Sequence, residues 1–109
     1  MEGWKVEAKE LLENIKLLKQ KQELFEELNK NNEALETAIK IYEKAYPIYT
    51  ERQKEIIDLH YFEEKNIMET ALATEWSYDT VYNDLQKIKR TLNQLIKNIG
   101  DDITLADII

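Results

Sequence analysis

A polar run from Ser77 to Lys87 carries the side chains with the clearest binding chemistry in this sequence. Amide side chains pair with adenine edges, a carboxylate accepts from cytosine N4, and an aromatic ring contacts the thymine methyl group. Hydroxyl and lysine side chains are typical phosphate contacts. The run therefore indicates a nucleic-acid-binding surface, and the competing interpretation is a solvated polar face of a helical bundle. Its candidate residues are Ser77, Tyr78, Asp79, Thr80, Tyr82, Asn83, Gln86 and Lys87.

Basic side chains before and after this run are the candidate contacts to phosphate. They would act together with the helix amides that Ser77 caps, because a helix N-terminus attracts anions. The base-reading positions themselves contain no Arg, so attraction to phosphate must come from the flanks. The flanking candidates are Arg52, Lys54, Lys65, Lys89 and Arg90.

Residues for catalysis or metal binding are sparse. The chain has no Cys and a single His, His60, which lies in an apolar packing segment and is typical of a surface or satisfied histidine. The adjacent acids Glu63-Glu64 and Asp101-Asp102 fall in predicted turns, where neighbouring side chains diverge, so neither pair suits metal or general-acid chemistry. We therefore expect no enzymatic activity, no cofactor and no metal site.

The helix that must position the polar run is predicted by an apolar repeat. A strong N-cap residue, Ser77, precedes it, and Gly100 is a typical residue after the last turn. A helix over about 78–98 is longer than a helix-turn-helix needs, so its later turns require another apolar surface. The inward-facing residues, spaced four and three apart, are Val81, Leu85, Ile88, Leu92, Leu95 and Ile99.

Two shorter helices are predicted before the long one. Thr50 and Gln53 form a capping-box pair that starts the first helix, and Asn66 caps the second. A tight connection at 74–76 then gives the proportions of a DNA-binding helix-turn-helix. In the second helix, predicted over 67–73, the residues expected to face inward are Ile67, Ala71 and Leu72.

The N-terminal half predicts a helical hairpin. A break is expected at 29–32, where Asn32 caps a second helix that Pro47 ends. The first helix carries a heptad seam, which fits either a helix packed on its own domain or a coiled coil that makes a homodimer. The seam residues are Trp4, Ala8, Leu11, Ile15, Leu18, Gln22, Phe25 and Asn29.

Composition and charge restrict the class of protein to which this chain can belong. With two Gly and one Pro in 109 residues, few points can break the chain, which favours long helices. The net charge of −7 is unusual for a DNA-binding protein. No apolar run is long enough to span a membrane, and the N-terminus lacks a signal-peptide profile. We therefore expect a soluble, intracellular protein with no membrane partner.

Residues 49–95 resemble region 4 of sigma-70-type factors and the sigma-like regulators of phages and prophages, including the ArpU and RinA types. The chain departs from the family pattern at Thr70, where an aliphatic residue is usual, and at Thr74-Glu75, where Leu-Gly is usual. Without that Gly the turn must reach its geometry with a β-carbon present, which costs about 1 kcal/mol if φ is positive, while Trp76 refills the space lost at Thr70 and Thr74. The matching residues are Tyr49, Thr50-Glu51-Arg52-Gln53-Lys54-Glu55, Ile56-Ile57, Leu59-His60-Tyr61-Phe62, Ala71 and Ser77-Tyr78-Asp79-Thr80-Val81.

The helical patterns and the resemblance together predict an all-α fold, and the resemblance implies a function. An N-terminal hairpin or oligomerisation segment (1–48) would precede a sigma region 4-like helix-turn-helix (49–99) and an acidic tail (100–109). The protein would bind duplex DNA in the cytoplasm of a bacterial host and act with host RNA polymerase at phage late promoters, as a homodimer. The alternatives are an acidic interaction module that binds polymerase or another regulator without DNA contact, and a DNA-recognition subunit of a packaging machine.

Overall fold

The computed structural model describes the backbone of residues 7–99 and the side chains of residues 7–97. Within that range the chain is helical and forms no strand, which confirms the all-α prediction there. The predictions for Trp4, Gly100 and the acidic tail lie outside the described residues. The helices are α1 (Ala8–Glu27), α2 (Glu33–Ala45), α3 (Glu51–Ile57), α4 (Ile67–Thr74) and α5 (Tyr78–Ile99).

The heptad seam of α1 packs inside its own chain over its first half. Its residues Ala8, Leu11, Ile15 and Leu18 are buried in the common core. Further along, Gln22 and Phe25 are half-buried, and Asn29 is exposed. The interpretation of a helix packed on its own domain is therefore confirmed for the buried half. A separate row on the outer side of α1 stays about half exposed and consists of Leu17, Leu24 and Leu28.

The predicted break between α1 and α2 is confirmed. Asn29 has φ 55°, a left-handed conformation that Asn tolerates better than most residues. The Asn32 side chain then accepts a hydrogen bond from the Leu35 amide at 3.0 Å and caps α2. Pro47 lies in a single 3₁₀ turn, Tyr46–Ile48, that follows the helix. This turn redirects the chain before α3 begins.

The Thr50–Gln53 capping box is present. The Gln53 amide donates to Thr50 Oγ1 at 3.1 Å, and the Thr50 amide donates to Gln53 Oε1 at 3.0 Å. Beyond α3 the helix widens into one π-helical turn, Asp58–Phe62, in which the Glu63 amide donates to the Asp58 carbonyl. The sequence pattern does not predict this turn.

α4 starts as expected but presents a different face to the core. Asn66 Oδ1 accepts from the Glu69 amide at 2.8 Å, so the predicted cap is confirmed. Ala71 is buried and Ile67 is half-buried, but Leu72 is 74% exposed, so its predicted inward orientation is wrong. The reason is geometric: each residue turns the helix by about 100°, and the inward place beside Ala71 is taken by Thr70, which is fully buried.

The connection from α4 to α5 contains no Gly, and its backbone passes through one left-handed residue. Glu75 has φ 65° and ends α4 in the left-handed region. Thr74 Oγ1 donates to the Thr70 carbonyl at 2.8 Å, which holds the last turn together. Trp76 is half-buried and packs against the core.

α5 is shared between the two halves of the chain. Its seam residues Val81, Leu85, Ile88 and Leu92 are buried in the same core as α1 and α2. The Ala8 amide at the start of α1 donates to Asn93 Oδ1 at 2.8 Å, and the buried Tyr49 hydroxyl donates to the Ile88 carbonyl at 2.9 Å. The N-terminal helices therefore supply the apolar surface that the later turns of α5 require.

Candidate nucleic-acid interface

The N-terminus of α5 is fixed by two hydroxyl side chains. Ser77 Oγ accepts from the Thr80 amide at 3.1 Å, which confirms the predicted cap, and donates to Thr80 Oγ1 at 2.9 Å. Because these two predicted contact residues bond to each other, their first role is to set where the helix begins. The residues that follow determine what the helix presents to solvent.

The outer surface of the first two turns of α5 gathers the predicted base-reading residues. Tyr78 and Tyr82 lie one turn apart, and each is 46% exposed. Asp79 and Asn83 are exposed one turn apart beside them, and Gln86 is half-buried on the next turn. We call Tyr78, Asp79, Tyr82, Asn83 and Gln86 the polar face. It offers hydrogen-bond donors, acceptors and ring surface on one side of a helix that is buried on the other.

The polar face continues into a basic groove on the later turns of α5. The groove has a volume of about 390 Å³, and its lining contains three cations and three amides but no acid. Lys87 is exposed beside it. Residues 85–99 as a whole contain four bases and no acid, in a chain whose net charge is −7. The lining residues are Gln86, Lys89, Arg90, Asn93, Gln94 and Lys97.

Arg52, predicted as a phosphate contact, forms an ion pair inside the protein. Its guanidinium donates two hydrogen bonds to Asp84 of α5, one of them from Nη2 to Oδ1 at 3.2 Å. These bonds raise the pKa of Arg52 above its already high ordinary value. Asp84 is 2% exposed, whereas the Arg52 side chain remains half-exposed over the Trp76 ring. The pair fastens α3 to α5 immediately below the polar face.

Two more of the predicted phosphate contacts, Lys54 and Lys65, lie away from α5. Lys54 bonds to Glu51 at 3.3 Å, and its ammonium lies over the Tyr46 ring, 5.4 Å from the centroid. Lys65 borders a cavity whose lining includes Glu13, Glu64 and Glu69. The structure thus brings Lys87, Lys89 and Arg90 to the polar face and leaves Lys54 and Lys65 on other surfaces.

His60 has a structural partner. Its Nδ1 lies 2.7 Å from the Lys65 carbonyl oxygen, across the turn that ends the π-helical segment. Among residues 7–97, no group of His, Asp and Glu side chains is arranged to hold a metal ion. No helix in the described part of the chain is long and apolar enough to cross a membrane.

Comparison with known proteins yields no relative. No family model, no curated protein and no solved structure matches the chain. Function must therefore be inferred from the geometry of the chain itself.

Two features of this surface are absent from the sequence interpretation. Asp84 lies three residues after Val81 and next to Leu85, at the edge of the apolar seam, and this position was the available sign that an acid would be buried. Lys97 follows Arg90 by two turns on the same side of α5 and extends the basic groove. The spacing of seven residues could have indicated it.

Proposed function

We propose that this chain is a sequence-specific, double-stranded DNA-binding transcriptional regulator that uses α5 as its recognition helix. The charge of α5 carries the proposal: after the polar face, residues 85–99 contain four bases and no acid, although the chain as a whole is acidic. Phosphate contacts dominate affinity for DNA, so a locally basic surface matters more than net charge. The competing possibility of a merely solvated face does not account for this segregation of charge.

The roles of the residues follow from their positions along α5. In the proposed helix-turn-helix arrangement, the first two turns of α5 enter the major groove. Asn83 and Gln86 would pair with adenine, Asp79 with cytosine N4, and the rings of Tyr78 and Tyr82 with thymine methyl groups. Phosphate contacts are assigned to Ser77, Thr80, Lys87, Lys89 and Arg90.

The regulatory step follows from the resemblance to sigma-like regulators. In that proposal the protein binds phage late-gene promoters in a bacterial cytoplasm and recruits or repositions host RNA polymerase. In a homodimer the two copies would contact each other through the exposed row Leu17, Leu24 and Leu28, since the first half of the heptad seam is buried within the chain. Sedimentation of the wild type and of Leu24→Lys tests this interface. We expect the wild type to be a dimer and Leu24→Lys to be a monomer, and a monomeric wild type would refute the interface.

DNA selection from a random pool, followed by gel shifts, tests the function itself. The Tyr82→Ala, Asn83→Ala pair should relax sequence preference, at a cost of about 1–3 kcal/mol for each base contact. The Lys87→Gln, Arg90→Gln pair should weaken binding to all sequences and reduce the salt slope by about 1 for each phosphate contact. The Lys40→Gln, Lys44→Gln pair on exposed positions of α2 changes charge equally and should bind like wild type.

The acidic interaction module remains the competing function. It is favoured by the net charge of −7 and would bind polymerase or another regulator without touching DNA. An empty selection from the random pool, or binding that all three pairs of substitutions leave unchanged, would overturn the DNA-binding proposal in its favour. Loss of polymerase binding in the Tyr82→Ala, Asn83→Ala pair would then locate the module on the same face.

A further inference from the structure

An aromatic pocket lies between α1, α2 and the π-helical turn. Its cavity of about 390 Å³ is within the size range of small-ligand sites. Three aromatic rings line it together with one lysine, two carboxylates and a proline. None of these residues belongs to the polar face or the basic groove. The lining residues are Lys19, Tyr42, Glu43, Tyr46, Pro47, Asp58 and Phe62.

The rings are arranged around a cation. Tyr42 is central: its ring centroid lies 5.9 Å from that of Tyr46 and 6.3 Å from that of Phe62, with tilted planes in both pairs. The Lys19 ammonium lies over two of these rings, 5.2 Å from the Tyr42 centroid and 5.7 Å from the Phe62 centroid. The ring faces of Tyr42 and Phe62 therefore point toward one position, and the Lys19 ammonium occupies that position.

Local backbone geometry builds this pocket. The π-helical turn Asp58–Phe62 has both of its terminal residues in the lining, one supplying a carboxylate and the other a ring. π-helical turns within helices are frequent at functional sites. The 3₁₀ turn after α2 adds Tyr46 and Pro47. Burial, with a contribution from Glu63, raises the pKa of Asp58, and the charge of Lys19 opposes that rise.

We propose that this pocket is a binding site for an organic cation, either an alkylammonium or a guanidinium group, and that Lys19 is the internal occupant which the ligand displaces. The ring faces and the carboxylates of Glu43 and Asp58 both attract positive charge. The Lys19 ammonium ends a flexible four-carbon chain, and the residue is partly exposed, so the ammonium can move to solvent. The same two carboxylates repel anions, which disfavours an anion site built on Lys19.

Titration of the full chain with tetramethylammonium and with N-acetylarginine amide, monitored by NMR of the aromatic rings, tests the proposal. The first probe represents a free small cation and the second a side chain of a partner protein. Shifts confined to the rings of Tyr42, Tyr46 and Phe62 are expected, with a dissociation constant on the order of millimolar. Sodium chloride at equal ionic strength should produce none, and the probe that binds more tightly identifies the source of the cation.

Three variants separate this site from a lysine that merely covers aromatic rings. Lys19→Gln removes the cation over Tyr42 and Phe62, leaves Lys54 over Tyr46, and should tighten binding about threefold to tenfold. Lys40→Gln makes the same charge change on an exposed part of α2 and should bind like wild type. Tyr46→Ala should weaken binding at least fivefold. Absence of ring shifts in both wild type and Lys19→Gln would overturn the proposal. So would weaker binding in Lys19→Gln, or ring shifts with inorganic phosphate that Lys19→Gln abolishes.

Discussion

At Thr70 a hydroxyl is buried without a partner. The side chain is fully buried, and its Oγ1 accepts or donates no hydrogen bond within the described residues. Because an unsatisfied buried polar group costs about 1–3 kcal/mol, Thr70→Val should raise the free energy of unfolding by about 1–2 kcal/mol. Urea denaturation measures this. Thr74→Val is the matched control and should destabilise, since its hydroxyl is bonded; equal effects of the two substitutions would contradict the explanation.

Replacing Arg52 and replacing Asp84 should lower the free energy of unfolding by different amounts. Asp84 is buried, whereas Arg52 is half-exposed. Arg52→Gln therefore leaves a buried carboxylate without its cation and should cost about 3 kcal/mol or more, near the value for breaking a buried pair. Asp84→Asn leaves an arginine that water can solvate and should cost about 1–2 kcal/mol. Urea denaturation of both variants checks the order.

A double-mutant cycle completes this test. Arg52→Gln combined with Asp84→Asn should be more stable than Arg52→Gln alone, because the unpaired carboxylate is removed. A purely additive double variant would show that the two side chains act independently. The same logic makes Arg52 a poor probe of the proposed DNA contact, since its replacement alters the stability of the fold.

At the scale of elements, the connection between α4 and α5 stores strain at Glu75. Its φ of 65° places a β-carbon in the left-handed region, where only Gly is unstrained. Glu75→Gly should raise the free energy of unfolding by up to about 1 kcal/mol, measured by thermal or urea denaturation. Ala73→Gly, at an exposed position inside α4, is the control and should lower it by about 1 kcal/mol. Destabilisation by Glu75→Gly would show that the Glu75 side chain makes a stabilising contact of greater value.

The helix starts were predictable because their physics is local. Asn32, Thr50, Asn66 and Ser77 each accept a hydrogen bond from an amide three residues later, so sequence spacing alone identifies them. The π-helical turn and the orientation of α4 were not predictable in this way. Both depend on tertiary packing, and Thr70 takes an inward place that hydrophobicity alone assigns to Leu72.

The polar face was predictable for the same reason, since an apolar seam on one side of α5 determines what lies on the other. The role of Arg52 was not. Its partner Asp84 is 32 residues away in the sequence, and periodicity carries no information about which charge will find which partner across two helices. Lys97 of the basic groove was also missed, although its spacing of seven residues from Arg90 places it on the same side of α5.

At the scale of the whole molecule, buried tyrosines make stability depend on alkaline pH. Burial raises the pKa of Tyr49 to about 12 from an ordinary value near 10, and it raises the pKa of Tyr42 and Tyr61 as well. The folded state therefore keeps these phenols protonated where the unfolded chain ionises. The contribution of these protonated tyrosines to the free energy of unfolding is fully present below pH 10. It is lost as the pH rises toward 12, by up to about 1.4 kcal/mol per pH unit for each tyrosine.

The Tyr49→Phe substitution isolates the contribution of Tyr49 to this pH dependence of stability. It should be less stable than wild type at pH 7 by about 1 kcal/mol, because the hydrogen bond to the Ile88 carbonyl is lost. Between pH 10 and 11 its stability should fall less steeply than that of wild type, by about 1 kcal/mol per pH unit. Urea denaturation at several pH values measures both. Parallel slopes would show that Tyr49 ionises equally in the folded and unfolded states.

The common core predicts that residues 49–109 do not fold alone. Ile88 and Leu92 of α5 are fully buried in a cluster that includes α1 and α2, and exposing each side chain costs about 1.5–3 kcal/mol. Small domains have only about 5–15 kcal/mol of stability. A chain restricted to residues 49–109 should therefore lose most of its helical circular dichroism, and adding residues 1–48 as a separate peptide should restore part of it. A cooperative thermal transition in the shorter chain alone would instead establish two independent domains.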